Sequence, residues 1–538
     1  MGVALRVGSR PTVDWLVALA WIVVSSVMAY GLVLAVFSLP GYPHAVNPPG
    51  HMPYLLDKPV GEDGLYMLAV AWNAALGKGL VGNFDQAVTG IQPLATLLYA
   101  ALAKLVLWCG GDKLAFVRAV IVFGTLNILL FAHQLGLIAQ RLVEHGPVRQ
   151  RAHVLAVMAT VLSFHAFRVF TYGLETGVYL VALAQLVRMS FVYFDHRPAS
   201  MWSRDNLLMG LAVGLTGLAR VDFSLVFGMF ALVALLRLRA HAFSLCVVGL
   251  VAVVVFLPWP LYVWHVSGSP IPSSGPAQGA FITLASAGER FSTMGNALVQ
   301  NLLPTLFTNG RWDVGALSAV LIAVFLRWGK PAPDRFEVRV LRQWMWTFLL
   351  LASIYVLLIW ATHFYARYTA PLMVAAIPLA AMQLARRITG HRADQNMALA
   401  IVGMGVVFTA FTLFVMHRGM LGNPHVITAG HVHEHFRHVS KVGAFQSGVV
   451  GFANDNVINL DGKVNTEVLP YVKRGNIDAY LLAHPEIGVI VDWPSYIHSY
   501  VSDAHLARHW KRCPVDIPEG ISVCYIRSGV SPDARRPG

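Results

Sequence analysis

The chain has 538 residues, 56% hydrophobic and 12% charged, with a mean hydropathy of +0.60. Soluble domains carry about one-quarter charged residues, so this chain cannot cover its apolar surface with polar groups, which excludes a soluble protein and makes lipid the missing partner. The net charge of +13 does not point to nucleic acid: Lys and Arg cluster in short gaps between apolar runs, and no RNA-binding motif or basic aromatic face appears.

Arg6 and Arg10 precede an apolar run from Trp15 to Leu39. A signal peptide has an apolar core of roughly 7–15 residues; this run is longer and reads as a retained first span. Windows of about 19 residues predict spans near 14–39, 115–140, 153–171, 176–194, 206–220, 222–238, 243–265, 313–327, 344–362, 368–386 and 397–416, eleven in all. The run 92–108 is also apolar enough to cross. If it does not cross, Arg141/Arg149/Arg151, Arg197/Arg204, Arg237/Arg239, Lys330/Arg335/Arg339/Arg342 and Arg386/Arg387/Arg392 all share a side with Arg6 and Arg10. That positive-inside pattern assigns 92–108 to a juxtamembrane or re-entrant helix packed on protein.

The chain then divides at 416 into a transmembrane module, 1–416, and an exterior domain, 417–538. Three exterior segments follow: 40–114, 266–312 and the C-terminal tail. The tail alternates strand-like runs (Val449–Phe452, Val457–Leu460, Ile487–Val491, Ile521–Ile526) with turn residues and a helical stretch near Asp503–Trp510, predicting a small α/β domain. Cys109 and Cys246 lie in apolar stretches, ordinary places for buried thiols. Cys513 and Cys524 lie in the tail, where a disulfide can form if it faces an oxidising space.

Gly61-Glu62-Asp63-Gly64-Leu65-Tyr66, in the first exterior segment, sets two adjacent acids at the membrane edge. Acids are costly there if buried, and such a carboxylate could take the proton of an attacking sugar hydroxyl. The alternative is a solvated loop acid or a helix N-cap. Glu175, in Gly173-Leu174-Glu175-Thr176, falls at an exterior turn, where a helix-start acid is also favoured by the macrodipole. Arg220, in Ala219-Arg220-Val221-Asp222, suits a lipid-linked phosphate or an internal pair with Asp222. His363-Phe364-Tyr365-Ala366-Arg367-Tyr368, at another exterior helix end, reads from its residues as an interfacial anchoring patch. His431, His433 and His435 alternate in the tail, as metal ligands if in a strand or else as a solvated linker. No Walker loop, Rossmann fingerprint or His-Glu-x-x-His is present.

The block Glu62-Asp63-Gly64-Leu65-Tyr66-Met67-Leu68-Ala69, followed by Gly77-Lys78-Gly79 and Thr89-Gly90-Ile91-Gln92-Pro93-Leu94, resembles the first loop of GT-C glycosyltransferases, in the bacterial branch related to protein mannosyltransferases and aminoarabinose transferases. Gly443-Ala444-Phe445-Gln446-Ser447-Gly448 and Asn459-Leu460-Asp461-Gly462-Lys463-Val464-Asn465 resemble the start of the exterior domain in that branch; the Asn459 and Asp461 side chains read chiefly as turn-formers. The resemblance implies an α-helical polytopic membrane protein with a small C-terminal α/β extracytoplasmic domain. It implies an inverting enzyme in a bacterial plasma membrane, using a polyprenyl-phosphate sugar donor and a glycan, lipid or protein acceptor. It makes Asp63 or Glu62 the catalytic base, with preference for Asp63, and assigns Arg220, Glu175, Arg367, Tyr368, His363 and Gln92 to the donor and its phosphate. No cofactor is required, though a divalent cation helps some members. Relatives usually have Asp at the first acidic position, where this chain has Glu62, and often a Lys after a turn like Pro272-Ser273-Ser274-Gly275, where this chain has none nearby. A polytopic transporter or lipid-linked glycan flippase is the competing class, which predicts inverted repeats and broken mid-span helices; no internal duplication is visible in the sequence.

Overall fold

Apolar runs rich in Leu, Ala and Val fold as helices, and caps and prolines decide where each one stops. The computed structural model describes residues 22–23, 26, 59–144, 146–195, 200, 202–237, 242–279, 301, 335–357, 366–387, 395–403, 405–406, 424–514, 517 and 522–529. The span expected near 313–327, most of that near 14–39, and His363 lie outside these residues.

Helix α1 covers Glu62–Ala75, α2 Pro93–Trp108 and α3 Lys113–Arg141, the last capped by an Asp112 side chain that accepts from the Ala115 N–H. The single span expected over 153–171 is instead two helices, α4 (Pro147–Val161) and α5 (Phe164–Thr171), bent by 65°. Ser163 causes the break: its side chain accepts the Ala166 N–H and starts a new helix. Next come α6 (Thr176–Asp195), α7 (Arg204–Ala219) and α8 (Phe223–Arg237). The span expected at 243–265 is bent by 41° between α9 (Ala242–Phe256) and α10 (Pro258–Ser267), where Pro258 has no N–H to continue the ladder. Then follow α11 (Phe336–Leu357) and α12 (Leu372–Arg387).

Among the described residues, α3 and α6 are each long and apolar enough to cross a membrane, and the two bent pairs raise the number to four. The 16 residues of α2 span about 24 Å, short of a hydrocarbon core about 30 Å thick. One flank (Ala95, Thr96, Tyr99, Ala103) is buried on protein and the other (Leu97, Leu98, Leu105, Trp108) is exposed.

Small residues let the helices close up. A Cβ at Gly210 or Gly214 of α7 would lie 2.6 Å from Val251 or Val255 of α9. Between α8 and α11, Phe230 stacks on Trp344 at 3.9 Å, and the Trp344 indole donates to Ser190 of α6. Cys109 and Cys246 are exposed rather than buried; an apolar neighbourhood on these helices marks protein surface, not core.

The tail begins with α13 (Pro424–His435) and builds a five-stranded sheet. β1 (Lys441–Ala444), β2 (Val457–Asn459) and β3 (Ile487–Asp492) are parallel, β5 (Val523–Arg527) runs antiparallel to β3, and β4 (Trp510–Arg512) runs antiparallel to β5, in the order β2-β1-β3-β5-β4. Val449–Phe452, expected as strand, lies inside helix α14 (Gly448–Ala453). An apolar run this short fits either state, and two parallel neighbours need a crossover between them. A second core of Phe445, Ile458, Leu460, Tyr480, Ile490 and Trp510 fills one face of the sheet. Cys513 and Cys524 are disulfide-bonded, joining the exit of β4 to β5.

Candidate active site

The first loop, the middle loop and the tail, three segments expected to share a side, touch one another. α1 is set by its glycines: the Gly61 N–H donates to the Tyr172 carbonyl, and a Cβ at Gly64 would lie 2.1 Å from that oxygen. Only glycine allows this approach, which brings Gly173-Leu174-Glu175 against the acidic pair. Consecutive helical side chains point about 100° apart, so Glu62 and Asp63 face different neighbours.

Glu62 faces the tail. Its two carboxylate oxygens accept the backbone N–H groups of Gly448 and Val449 at the start of α14, the second at 2.7 Å. A Cβ at Gly448 would lie 2.1 Å from the Glu62 carbonyl, so this contact also depends on glycine. One turn on, the Tyr66 hydroxyl accepts from the Ser447 N–H at 2.8 Å and donates to the Phe445 carbonyl at 3.3 Å. Burial, then Asp461, Glu62 and Asp63, push its pKa well above the ordinary tyrosine value, keeping it a protonated donor.

Asp63 faces the transmembrane helices. Its Oδ2 lies 3.0 Å from Arg367 Nη1, with the two side chains 25% and 16% exposed. Behind Arg367, the buried Arg220 acts as a hub. Its Nε donates to both Asp222 oxygens at 2.9 and 3.0 Å, and Nη1 donates to the Arg367 carbonyl at 3.3 Å and lies 3.7 Å from Glu175 Oε1. The Tyr368 ring lies 5.0 Å from the Arg220 guanidinium and 5.4 Å from that of Arg367. Gln92, just before α2, accepts the Val221 N–H at 3.0 Å, and Tyr99 of α2 donates to the Leu174 carbonyl at 3.0 Å.

The structure thus gathers Asp63, Gln92, Glu175, Arg220, Arg367 and Tyr368, scattered over some 300 positions, into one site. The internal Arg220–Asp222 pair is present. Glu62 stands apart, engaged with backbone. Tyr66, Asp222 and Lys463 complete the surroundings: Lys463 Nζ lies 3.0 Å from Asp461 Oδ2 and 5.8 Å from the centre of the Tyr66 ring. The nearest sequence signal for Lys463 is its polar turn, Asp461-Gly462-Lys463. His431, His433 and His435 sit on helix α13 rather than in a strand or a solvated linker, with His431 buried. Among the described residues, no group of three or more His, Cys, Asp or Glu could hold a metal ion.

The fold, helices followed by a C-terminal sheet domain, is that of solved GT-C structures. The solved structures that carry the likeness include ArnT from Cupriavidus metallidurans in the apo state, with TM-score 0.59 and 12% identity over 95% of this chain and 98% of that one. The same protein bound to undecaprenyl phosphate gives 0.56 and 13%, covering 96% and 98%. The Archaeoglobus fulgidus oligosaccharyltransferase in complex with Zn and sulfate gives 0.50 and 10%, covering 91% and 71%. No protein-family model and no curated protein matches the sequence.

Proposed function

We propose that the protein is an inverting glycosyltransferase of the bacterial plasma membrane. It moves a sugar from a polyprenyl-phosphate donor to a cell-envelope glycan, lipid or protein acceptor at the extracytoplasmic face. The observation that carries this reading is the Asp63–Arg367 pair, a partly exposed acid and a guanidinium at 3.0 Å, backed by the Arg220 hub within a GT-C fold. The ArnT structure with bound undecaprenyl phosphate supports the donor class. The disulfide in the tail supports an oxidising, extracytoplasmic location for that domain.

Asp63 is the general base. Its carboxylate takes the proton of the acceptor hydroxyl as that oxygen bonds to the anomeric carbon, and the C–O bond to phosphate breaks on the opposite face. The polyprenyl phosphate leaves with the electron pair, and Arg367 stabilises the charge that develops on it. Arg220 is buried and already engaged, so it supports Arg367 through the Arg367 carbonyl rather than meeting the phosphate itself, while Glu175, Gln92 and Tyr368 are assigned to the donor side of the site. His363, just ahead of Arg367 in the chain, is assigned to the donor headgroup. A metal ion is not required in this reading, since guanidinium charge already stands beside the acid. The test is transfer of radiolabelled sugar from a panel of polyprenyl-phosphate sugars in proteoliposomes, with and without EDTA. Wild-type transfer that persists in EDTA and vanishes in Asp63→Asn supports the reading; full activity of that variant overturns it.

A further inference from the structure

Three buried polar side chains that the transfer step leaves unused join separate parts of the chain beside the Arg367 turn. His165 lies in the first turn of α5, Asn301 in the middle exterior loop, and Thr369 directly after the short turn Ala366–Tyr368. None is more than 5% exposed. His165 Nε2 lies 3.0 Å from Asn301 Oδ1, and Asn301 Nδ2 donates to Thr369 Oγ1 at 2.7 Å. An amide oxygen only accepts, so this contact places the imidazole proton on Nε2, and donation runs from His165 through Asn301 to Thr369. The break at Ser163 belongs to the same arrangement, because α5 starts there and its direction sets where His165 points.

A buried imidazole, amide and hydroxyl cost free energy unless they meet hydrogen-bond partners. Once partnered, they add little over apolar side chains of the same shape. What a satisfied buried network supplies is one fixed geometry. Here the object held is the Arg367 turn. Arg220 Nη1 donates to the Arg367 carbonyl at 3.3 Å, and Asn301 holds Thr369 two residues on. The Thr369 carbonyl then accepts the Leu372 N–H at 3.0 Å, where α12 begins. With the backbone gripped at both Arg367 and Thr369, the guanidinium stands 3.0 Å from Asp63 before any substrate arrives. Charge stabilisation works best when the donor is already in place, since nothing has to reorganise during the reaction. A displacement of about 1 Å can cost as much as 100-fold in rate.

We propose that His165 and Asn301 are positioning residues: with Thr369 they fix the turn that aims Arg367 at the departing phosphate and the base. This rests on the glycosyltransferase reading for what Arg367 does, but not for where it is held. The test uses the full chain in lipid nanodiscs, reading kcat and donor KM per folded molecule and amide hydrogen exchange at 366–369. His165→Phe and Thr369→Val each remove a bond and keep the bulk; His165→Gln and Thr369→Ser keep a polar group in its place. The first two should lower kcat by about tenfold or more with donor KM within about twofold of wild type, and speed exchange at 366–369. The second two should restore most of both. Added to Arg367→Lys, which already lacks the guanidinium, His165→Phe should cost little further activity, because both changes act through one group. Wild-type kcat in His165→Phe, equal losses in His165→Phe and His165→Gln, or the same loss in both Arg367 backgrounds overturns the proposal. If His165→Phe does not fold, Thr369→Val against Thr369→Ser decides by the same readouts. Should the wild type transfer no sugar, faster exchange in His165→Phe that His165→Gln reverses would sink the transferase reading and leave the positioning standing; unchanged exchange would sink both.

Discussion

Glu62 and Asp63 are neighbours in sequence, share one helical turn, and live in two different regions. On the tail side, Glu62 meets two backbone N–H groups that cannot move without unwinding α14. On the helix side, Asp63 meets a side-chain guanidinium on a short turn at Ala366–Tyr368 and keeps a quarter of its surface open. A carboxylate held by backbone is a fastener. One held by a side chain can exchange that partner for a substrate, and this difference separates two acids that composition and spacing treat alike.

The largest effect should come from the open acid. Asp63→Asn should cost about 10³-fold in transfer while undecaprenyl phosphate binding and thermal stability stay near wild type; equal losses in Asp63→Asn and Glu62→Gln would erase the distinction. Next in size is the tail turn that grips Glu62. Asp492, 4% exposed, accepts the N–H groups of Phe445 and Gln446 just ahead of Gly448. Burial raises its pKa from 3.8 to about 6, against the N–H donors of Gln446, Trp493 and Phe445 and against His425. A raised carboxyl pKa means that the folded state holds the proton more tightly. Its contribution is therefore greatest below about pH 4 and falls as the pH rises to 6, by about 3 kcal/mol. The stability difference between wild type and Asp492→Asn, measured by thermal unfolding from pH 4 to 7, should shrink by that amount, and a flat difference would contradict the assignment.

Glu62→Gln should act on docking rather than chemistry. Two charge-assisted bonds weaken, costing about 2 kcal/mol, with faster hydrogen exchange at Gly448 and Val449 and less than about a tenfold drop in transfer. A loss of transfer approaching that of Asp63→Asn, with exchange unchanged, would move the base to Glu62. Smallest is Tyr66→Phe, which removes the hydroxyl between Ser447 and Phe445 and should lower stability by about 1 kcal/mol, read from the unfolding midpoint.

Much of the site was legible because its residues sit at helix ends in short motifs: Gln92 before α2, Glu175 before α6, Arg220 after α7 and Arg367 before α12 each mark a place where an apolar run stops. Hydropathy locates such ends well. The partnering of Glu62 with Gly448 was not legible, because a contact between residues 386 positions apart leaves no local pattern. Lys463 was missed as a neighbour of α1 for the same reason. The break at Ser163 and the bend at Pro258 escaped a hydropathy window because neither changes the average polarity of its run. Val449–Phe452 was misread because four apolar residues carry no period.

The bond from Gly448 to Glu62 also orders events in time. The ribosome finishes the first loop 386 residues before it reaches the glycine that closes on it. Until the tail has folded, the tail-facing wall beside α1 is missing. The order of synthesis therefore leaves Glu62 without its backbone partners until the tail is made and folded.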